Sequence, residues 1–265
     1  MSVAKFEELD LSPDVAEKYL QDGSMTKQFL TDPALDAKMA KARTDKEKVQ
    51  ILYAYIHLNT IHPRFANREY KSEHKFQRTA SEIWQDRQMT GCTDYALVFC
   101  SLARKYGLPT TFLDTLEEGC LKNIQAGKDV QKIYGHAFCE CLVDGKWQLL
   151  DPTLSITEKN YNPEDIKLSW FHRVAGKRSF IPIARELDTG RKRNVRDHNN
   201  ELKCMVVGDN SKFPMVIPVS KEDLAKEGYG ISKNNFVSEK TTHKISMATS
   251  QKDMSADERC LWYIR

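Results

Sequence analysis

A cysteine, a histidine and an aspartate stand in three short segments of this chain: Gly91-Cys92-Thr93-Asp94-Tyr95, Gly135-His136-Ala137-Phe138 and Leu150-Asp151-Pro152-Thr153. These residue types can carry nucleophilic chemistry. A thiol needs a base to take its proton, and an imidazole base needs an acceptor that fixes its tautomer. Taken singly, each residue has an ordinary explanation. Cys92 reads as a small buried hydrophobe, His136 as a satisfied core or edge histidine, and Asp151 as a turn residue before Pro152. The elements around them decide whether they converge.

From Cys92 onward, Ala96, Phe99, Cys100 and Ala103 recur at helical spacing, and Leu97, Val98 and Leu102 widen the apolar surface. A helix this apolar is mostly buried. Gly107 reads as its C′ residue and Pro109 as a stop, with Arg104 and Lys105 in the last turn where the dipole favours cations. Cys92 therefore lies at or next to the N-cap, where free backbone N–H groups and the positive dipole end stabilise a thiolate. Asp94 reads as a first-turn carboxylate interacting with the helix N-terminus, not as the acid partner of a base.

Asp144-Gly145 separates two short apolar-rich runs and signals a two-residue type I′ hairpin turn. That turn pairs Val143 with Lys146, Leu142 with Trp147, Glu140 with Leu149, Phe138 with Asp151 and His136 with Thr153. His136, Phe138 and Asp151 then share one face. His136 and Asp151 become diagonal neighbours at about 7–8 Å, a gap that two polar side chains bridge. A three-residue loop would put them on opposite faces.

The combination resembles the transglutaminase-like superfamily. Its nucleophile opens a buried helix in a Gly-Cys segment, followed by Gly-(Leu/Ile)-Pro, a His-Ala strand and a strand ending in Asp-Pro. Here those pieces are Gly91-Cys92, Gly107-Leu108-Pro109, His136-Ala137 and Trp147 to Thr153. The resemblance spans about residues 45 to 155. It implies an α+β, papain-like cysteine-enzyme core, with N-terminal helices packed on an antiparallel sheet and a Cys92, His136, Asp151 catalytic triad. The superfamily holds transglutaminases, cysteine proteases, peptide N-glycanases and members without the triad, so the reaction stays open among these.

Length and composition fit a soluble enzyme. The 265 residues are 40% hydrophobic and 29% charged, with a net charge of +3, an ordinary globular balance that favours neither nucleic acid nor membrane. No apolar run approaches a membrane span, and the polar N-terminus is not a secretory signal. The seven cysteines, odd in number and sparsely spaced, point to reduced thiols and a cytoplasmic setting. Zinc is the rival explanation for Cys139 and Cys141. They alternate on a strand with no Cys-x-x-Cys pair near them, so they read as core residues, and no metal or cofactor is expected.

The organisation expected is a helical segment over 1–43, the catalytic core over 44–165 and a β-rich extension over 166–265 that is either separate or part of the same domain. Ser12-Pro13 and Asp32-Pro33 each place a cap ahead of a proline that opens a helix. Thr44 with Glu47, and Thr79 with Glu82, form capping-box patterns. Residues 61–78 read as a loop, and 116–134 as a surface connection beside the site. The apolar runs at 180–184, 202–207, 214–219 and 261–264 read as strands, and Ser220 with Asp223 as the cap of a short helix. The basic cluster Arg191, Lys192, Arg193 and Arg196 reads as a solvated loop, because no aromatic residues interleave for base stacking.

The chemistry expected is acyl transfer through a thioester on a protein or peptide, with hydrolysis ahead of transglutamination or deamidation. A binding module with a blocked triad is the alternative from another class. The oxyanion would be held by the Cys92 N–H and an upstream side chain, with Trp84, Gln85 and Gln88 as unranked candidates. Oligomeric state is not encoded in any pattern found here.

Overall fold

The computed structural model describes residues 13–27, 33–61, 72–153, 155–156, 166–167, 179–207 and 245–246. Short helices α1 (Pro13–Lys18) and α2 (Pro33–Met39) start at their prolines, as expected. Helix α3 (Asp45–Asn59) is capped by the Thr44 hydroxyl, which accepts the Glu47 N–H at 3.1 Å. The Glu47 carboxylate reaches the Arg43 N–H rather than that of Thr44, so only half of the expected box forms. Helix α4 (Ala80–Asp86) has the complete box between Thr79 and Glu82.

Helix α5 (Cys92–Lys105) is the centre of the molecule. Every residue from Thr93 to Arg104 is buried, and each large side chain fully removed from water contributes roughly 1.5–3 kcal/mol. The Leu108 N–H bonds the Ala103 carbonyl and the Gly107 N–H bonds that of Arg104, with Gly107 at φ 78°. This is the Schellman ending that Gly107 signals in the sequence.

The helix lies on an antiparallel sheet of strands β1 (Thr110–Glu117), β2 (Gly135–Val143), β3 (Lys146–Leu150) and β6 (Ser179–Glu186). The order is β3-β2-β1-β6, with the two-residue β7 (Ile245–Ser246) beyond β6. Strands β4 (Ser155–Ile156) and β5 (Ile166–Lys167) form a separate two-stranded ladder. Cys139, Cys141 and Val143 of β2 share one core with α3, α4 and α5.

Two elements were not legible as such. The connection 116–134 contains helix α6 (Glu118–Gln125), capped by the Glu117 side chain on the Cys120 N–H. The run 202–207, expected as a strand, is instead the end of helix α7 (Val195–Val207). Asn194 caps it by accepting the Asp197 N–H at 2.9 Å. Buried His198, Leu202 and Val206 recur at i, i+4, i+8, and the last two pack with Cys120, Leu121 and Ile124 of α6. Helical period outweighs the strand preference of a short apolar run. The expected strands at 214–219 and 261–264, and the cap at Ser220, lie outside the described residues.

Candidate active site

Cys92 is the first residue of α5 and is half-buried. The turn leading to it is clamped from within. The buried Asp94 carboxylate accepts the Thr90 N–H, the Thr90 hydroxyl and the Arg78 guanidinium, each at 2.7 Å. Arg78 also donates to the Gln88 carbonyl at 2.8 Å and pairs with Asp86. Asp94 thus ties the segment before the helix to its first turn, as its first-turn position suggested. Burial pushes its carboxyl above the ordinary range against the pull of Arg78 and Thr90.

The histidine and aspartate come from the hairpin in the expected register. Val143 faces Lys146, Leu142 faces Trp147 and Glu140 faces Leu149. Asp144 and Gly145 take φ of 48° and 79°, the left-handed pair a type I′ turn requires. The ladder ends at Leu150, one residue before Asp151. The diagonal is closed by side chains: His136 Nε2 lies 3.0 Å from Asp151 Oδ2, both side chains fully buried. Asp151 Oδ1 accepts the Thr153 N–H at 3.0 Å and its hydroxyl at 2.6 Å, which fixes the carboxylate plane. The Phe138 ring meets the imidazole edge-on at 4.3 Å. His57, which no sequence motif marks, donates to the Pro152 carbonyl at 2.8 Å and stacks on Tyr95 of α5 at 4.9 Å. It ties the aspartate's corner to the nucleophile's helix.

The hairpin meets the helix at Cys92. Burial opposes a thiolate there. The His136 charge, its hydrogen bond, the Lys75 charge and the Ala137 N–H outweigh burial, and the Cys92 pKa is lowered. Burial likewise opposes an imidazolium. The Asp151 charge, then the Cys92 charge, then hydrogen bonds from both outweigh it and raise the His136 pKa to about 10. The two shifts run in opposite directions on neighbouring groups, each charged form favouring the other. With Nε2 held by Asp151, Nδ1 is the ring nitrogen left to exchange a proton with sulfur.

A third wall comes from the stretch before α4. Phe76 is 6% exposed and has φ 62°, a conformation that costs a non-glycine residue about 1–3 kcal/mol. Contacts from the segment after β6 hold it. Its carbonyl accepts the Arg193 N–H at 2.9 Å, and its ring lies 4.0 Å from that of His198. The neighbouring Lys75 ammonium sits 5.0 Å from the Phe76 ring centroid. The Lys75 Cε is 4.0 Å from the point a Cβ on Gly91 would occupy. The basic cluster supplies this anchor, and much of it is paired inside the fold. Arg191 and Arg193 pair with Glu201, and Lys192 pairs with Glu82. Arg193 is buried, which corrects the reading of a wholly solvated loop.

Among the oxyanion candidates, Trp84 is buried between Tyr55 and the Arg87 guanidinium, which lies 3.7 Å from its ring centroid. Gln85 is exposed. Gln88 joins Ile61 in a short bridge and offers its carbonyl to Arg78. Cys139 and Cys141 are fully buried thiols in the core. Among the described residues no group of three or more His, Cys, Asp or Glu gathers to hold a metal ion. Nor, among them, is any helix long and apolar enough to cross a membrane.

Residues 33–152 match the transglutaminase-like superfamily. A search of curated proteins finds no match. One similar solved structure is described as "a Putative Cysteine Protease from Cytophaga hutchinsonii". It shares 16% sequence identity at a TM-score of 0.40, over 69% of this chain and 52% of that one. The chain thus spans about half the length of that protein. Helix-borne cysteine, hairpin-borne histidine and strand-end aspartate all fall within the matched segment, and residues 33–152 are a domain of the transglutaminase-like superfamily.

Proposed function

We propose that the protein is a cysteine enzyme that transfers acyl groups through a thioester, with Cys92 as nucleophile, His136 as acid–base and Asp151 as its orienting acceptor. The observation that carries this reading is the contact chain Asp151–His136–Cys92 with opposite pKa shifts on thiol and imidazole. The Cys92 thiolate bonds to a carbonyl carbon, and the C=O π pair moves onto oxygen. That oxyanion lies by the Cys92 N–H, a donor without an intrahelical partner at the first helical position. The pair returns, the C–N bond breaks, and His136 passes its Nδ1 proton to the departing nitrogen. His136 then takes a proton from water, whose oxygen attacks the thioester, and the acid and free thiol are released.

A protein or peptide is the substrate class, and hydrolysis is favoured over amine transfer because water needs no second binding site. The experiment is alkylation of Cys92 by iodoacetamide against pH, located by mass spectrometry. Fast labelling of Cys92 well below the ordinary thiol pKa of about 8.5 supports the reading. Labelling at an ordinary thiol rate would transfer the domain to the class of binding modules. Product analysis then separates a new N-terminus, free ammonia and a cross-link.

A further inference from the structure

The geometry points to Lys75 as the second donor of the oxyanion site, its ammonium taking the charge that develops on the carbonyl oxygen beside the Cys92 N–H. This inference rests on the cysteine-enzyme reading. Sequence position hides the residue, which lies in a polar stretch without period, 17 residues before the cysteine.

Three independent features place it. The first is proximity. The Lys75 side chain passes Gly91 at van der Waals range, with Cε 4.0 Å from the virtual Cβ. Gly91 immediately precedes the N–H that would be the first donor. Its φ of 168° is extended backbone open to any residue, so glycine here supplies room rather than a special conformation. The second is anchoring. Lys75 is followed by a buried residue in the left-handed region, pinned by Arg193 and His198 from a distant part of the chain. Strained backbone maintained by surrounding contacts recurs where a side chain must be held in place. The third is availability. Among the described residues Lys75 has no carboxylate within ion-pair range, in contrast to Lys48, Lys122 and Lys192, each of which has one. The Lys75 charge also helps to lower the Cys92 pKa.

A cation beside the thiol could serve only the thiolate. The oxyanion role demands more: its effect must grow as charge moves from sulfur to oxygen. Two reagents separate these roles. Iodoacetamide alkylates the thiolate by displacement, with iodide leaving and no oxyanion formed. p-Nitrophenyl acetate acylates it through a tetrahedral oxyanion, releasing p-nitrophenolate. Neither reagent carries a carboxylate that Lys75 could bind. Both rates would be measured across pH for wild type, Lys75→Met and Lys75→Arg, expressed per thiolate, with Cys92→Ala as background.

Removing one oxyanion donor costs about 10²–10³ in rate. Lys75→Met is therefore expected to slow acylation by about 10²-fold while alkylation per thiolate is unchanged, and Lys75→Arg to recover most of the loss. Equal slowing of both reactions, or of neither, overturns the inference and leaves the nucleophile assignment standing. Wild-type Cys92 that is inert to both reagents overturns the assignment itself, and this inference with it.

Discussion

Helix α5 and strand β2 meet twice through cysteines, and the two meetings have opposite chemistry. At the open end, Cys92 of the helix faces His136 of the strand, and the thiol pKa is lowered. Eight residues on, Cys100 faces Cys139 with the sulfurs 3.5 Å apart. There burial, followed by the neighbouring thiol, pushes Cys139 well above the ordinary value, and burial drives Cys141 to about 12. Burial opposes the thiolate at both places. What differs is the charge supplied. The first pair has an imidazolium backed by Asp151, with Lys75 alongside. The second has hydroxyl, carbonyl and sulfur neighbours within hydrogen-bond range, and the Arg104 charge that also acts there does not overcome burial. The direction in which each thiol shifts follows the partner it meets.

The largest expected effect erases the contrast. His136→Ala removes the imidazolium, so the Cys92 thiol titrates near or above an ordinary cysteine, and acylation at pH 7 falls by about 10²–10⁴-fold. Stopped-flow release of p-nitrophenol measures this. Retained acylation would make the two cysteine sites alike and remove His136 from the mechanism.

A finer cut leaves the ring and removes its backing. The Asp151 charge helps raise the His136 pKa to about 10. The wild-type imidazolium is therefore expected to persist until pH rises through that value, where alkylation should increase as it loses its proton. In Asp151→Asn this upper inflection moves down toward about 6.5, the ordinary histidine value. An unmoved inflection would assign the shift to Cys92 alone.

The buried meeting is tested by stability. Cys139→Ser puts a hydroxyl into a site built from sulfur and apolar groups. It is expected to cost about 1–3 kcal/mol in urea unfolding and to leave the Cys92 labelling rate unchanged. In wild type, Cys100, Cys139 and Cys141 should resist iodoacetamide until the chain unfolds.

The smallest effect lies at the far end of the hairpin. Gly145→Ala forces a side chain onto φ 79° and is expected to cost about 1–2 kcal/mol, with Cys92 reactivity intact. A change in reactivity would show that the turn tunes the site at a distance.

The hairpin was legible because it is local. Asp-Gly sets the turn, the turn sets the register, and the register brings His136 to Asp151. The helix was legible through its period and Gly107. Long-range partners were not. Strand β1 carries no alternation sharp enough to announce it, and its burial is continuous from Thr110 to Leu116. The anchoring of Phe76 by Arg193 and His198 joins residues more than a hundred positions apart, and no sequence pattern encodes a positive φ at a phenylalanine. Hence the approach of His136 to Asp151 could be read from the sequence, whereas the places of Lys75 and His57 emerged only in three dimensions.

Strand β6 reaches the molecule's centre from beyond the matched segment. It pairs with β1 along its outer side. Arg185 of β6 forms a buried pair with Glu140 of β2, at 2.5 and 2.9 Å. Just beyond it, Asp188 accepts the Met25 N–H at 2.7 Å and the Thr26 N–H at 3.1 Å. A chain cut after residue 152 would therefore keep the whole family signature yet bare the backbone of β1 and leave Glu140 without its Arg185 partner, with only the Thr111 hydroxyl, among the described residues, to satisfy it. Such a fragment would present an open template for pairing with its own copies, so it is expected to aggregate although it keeps every residue by which the family is recognised.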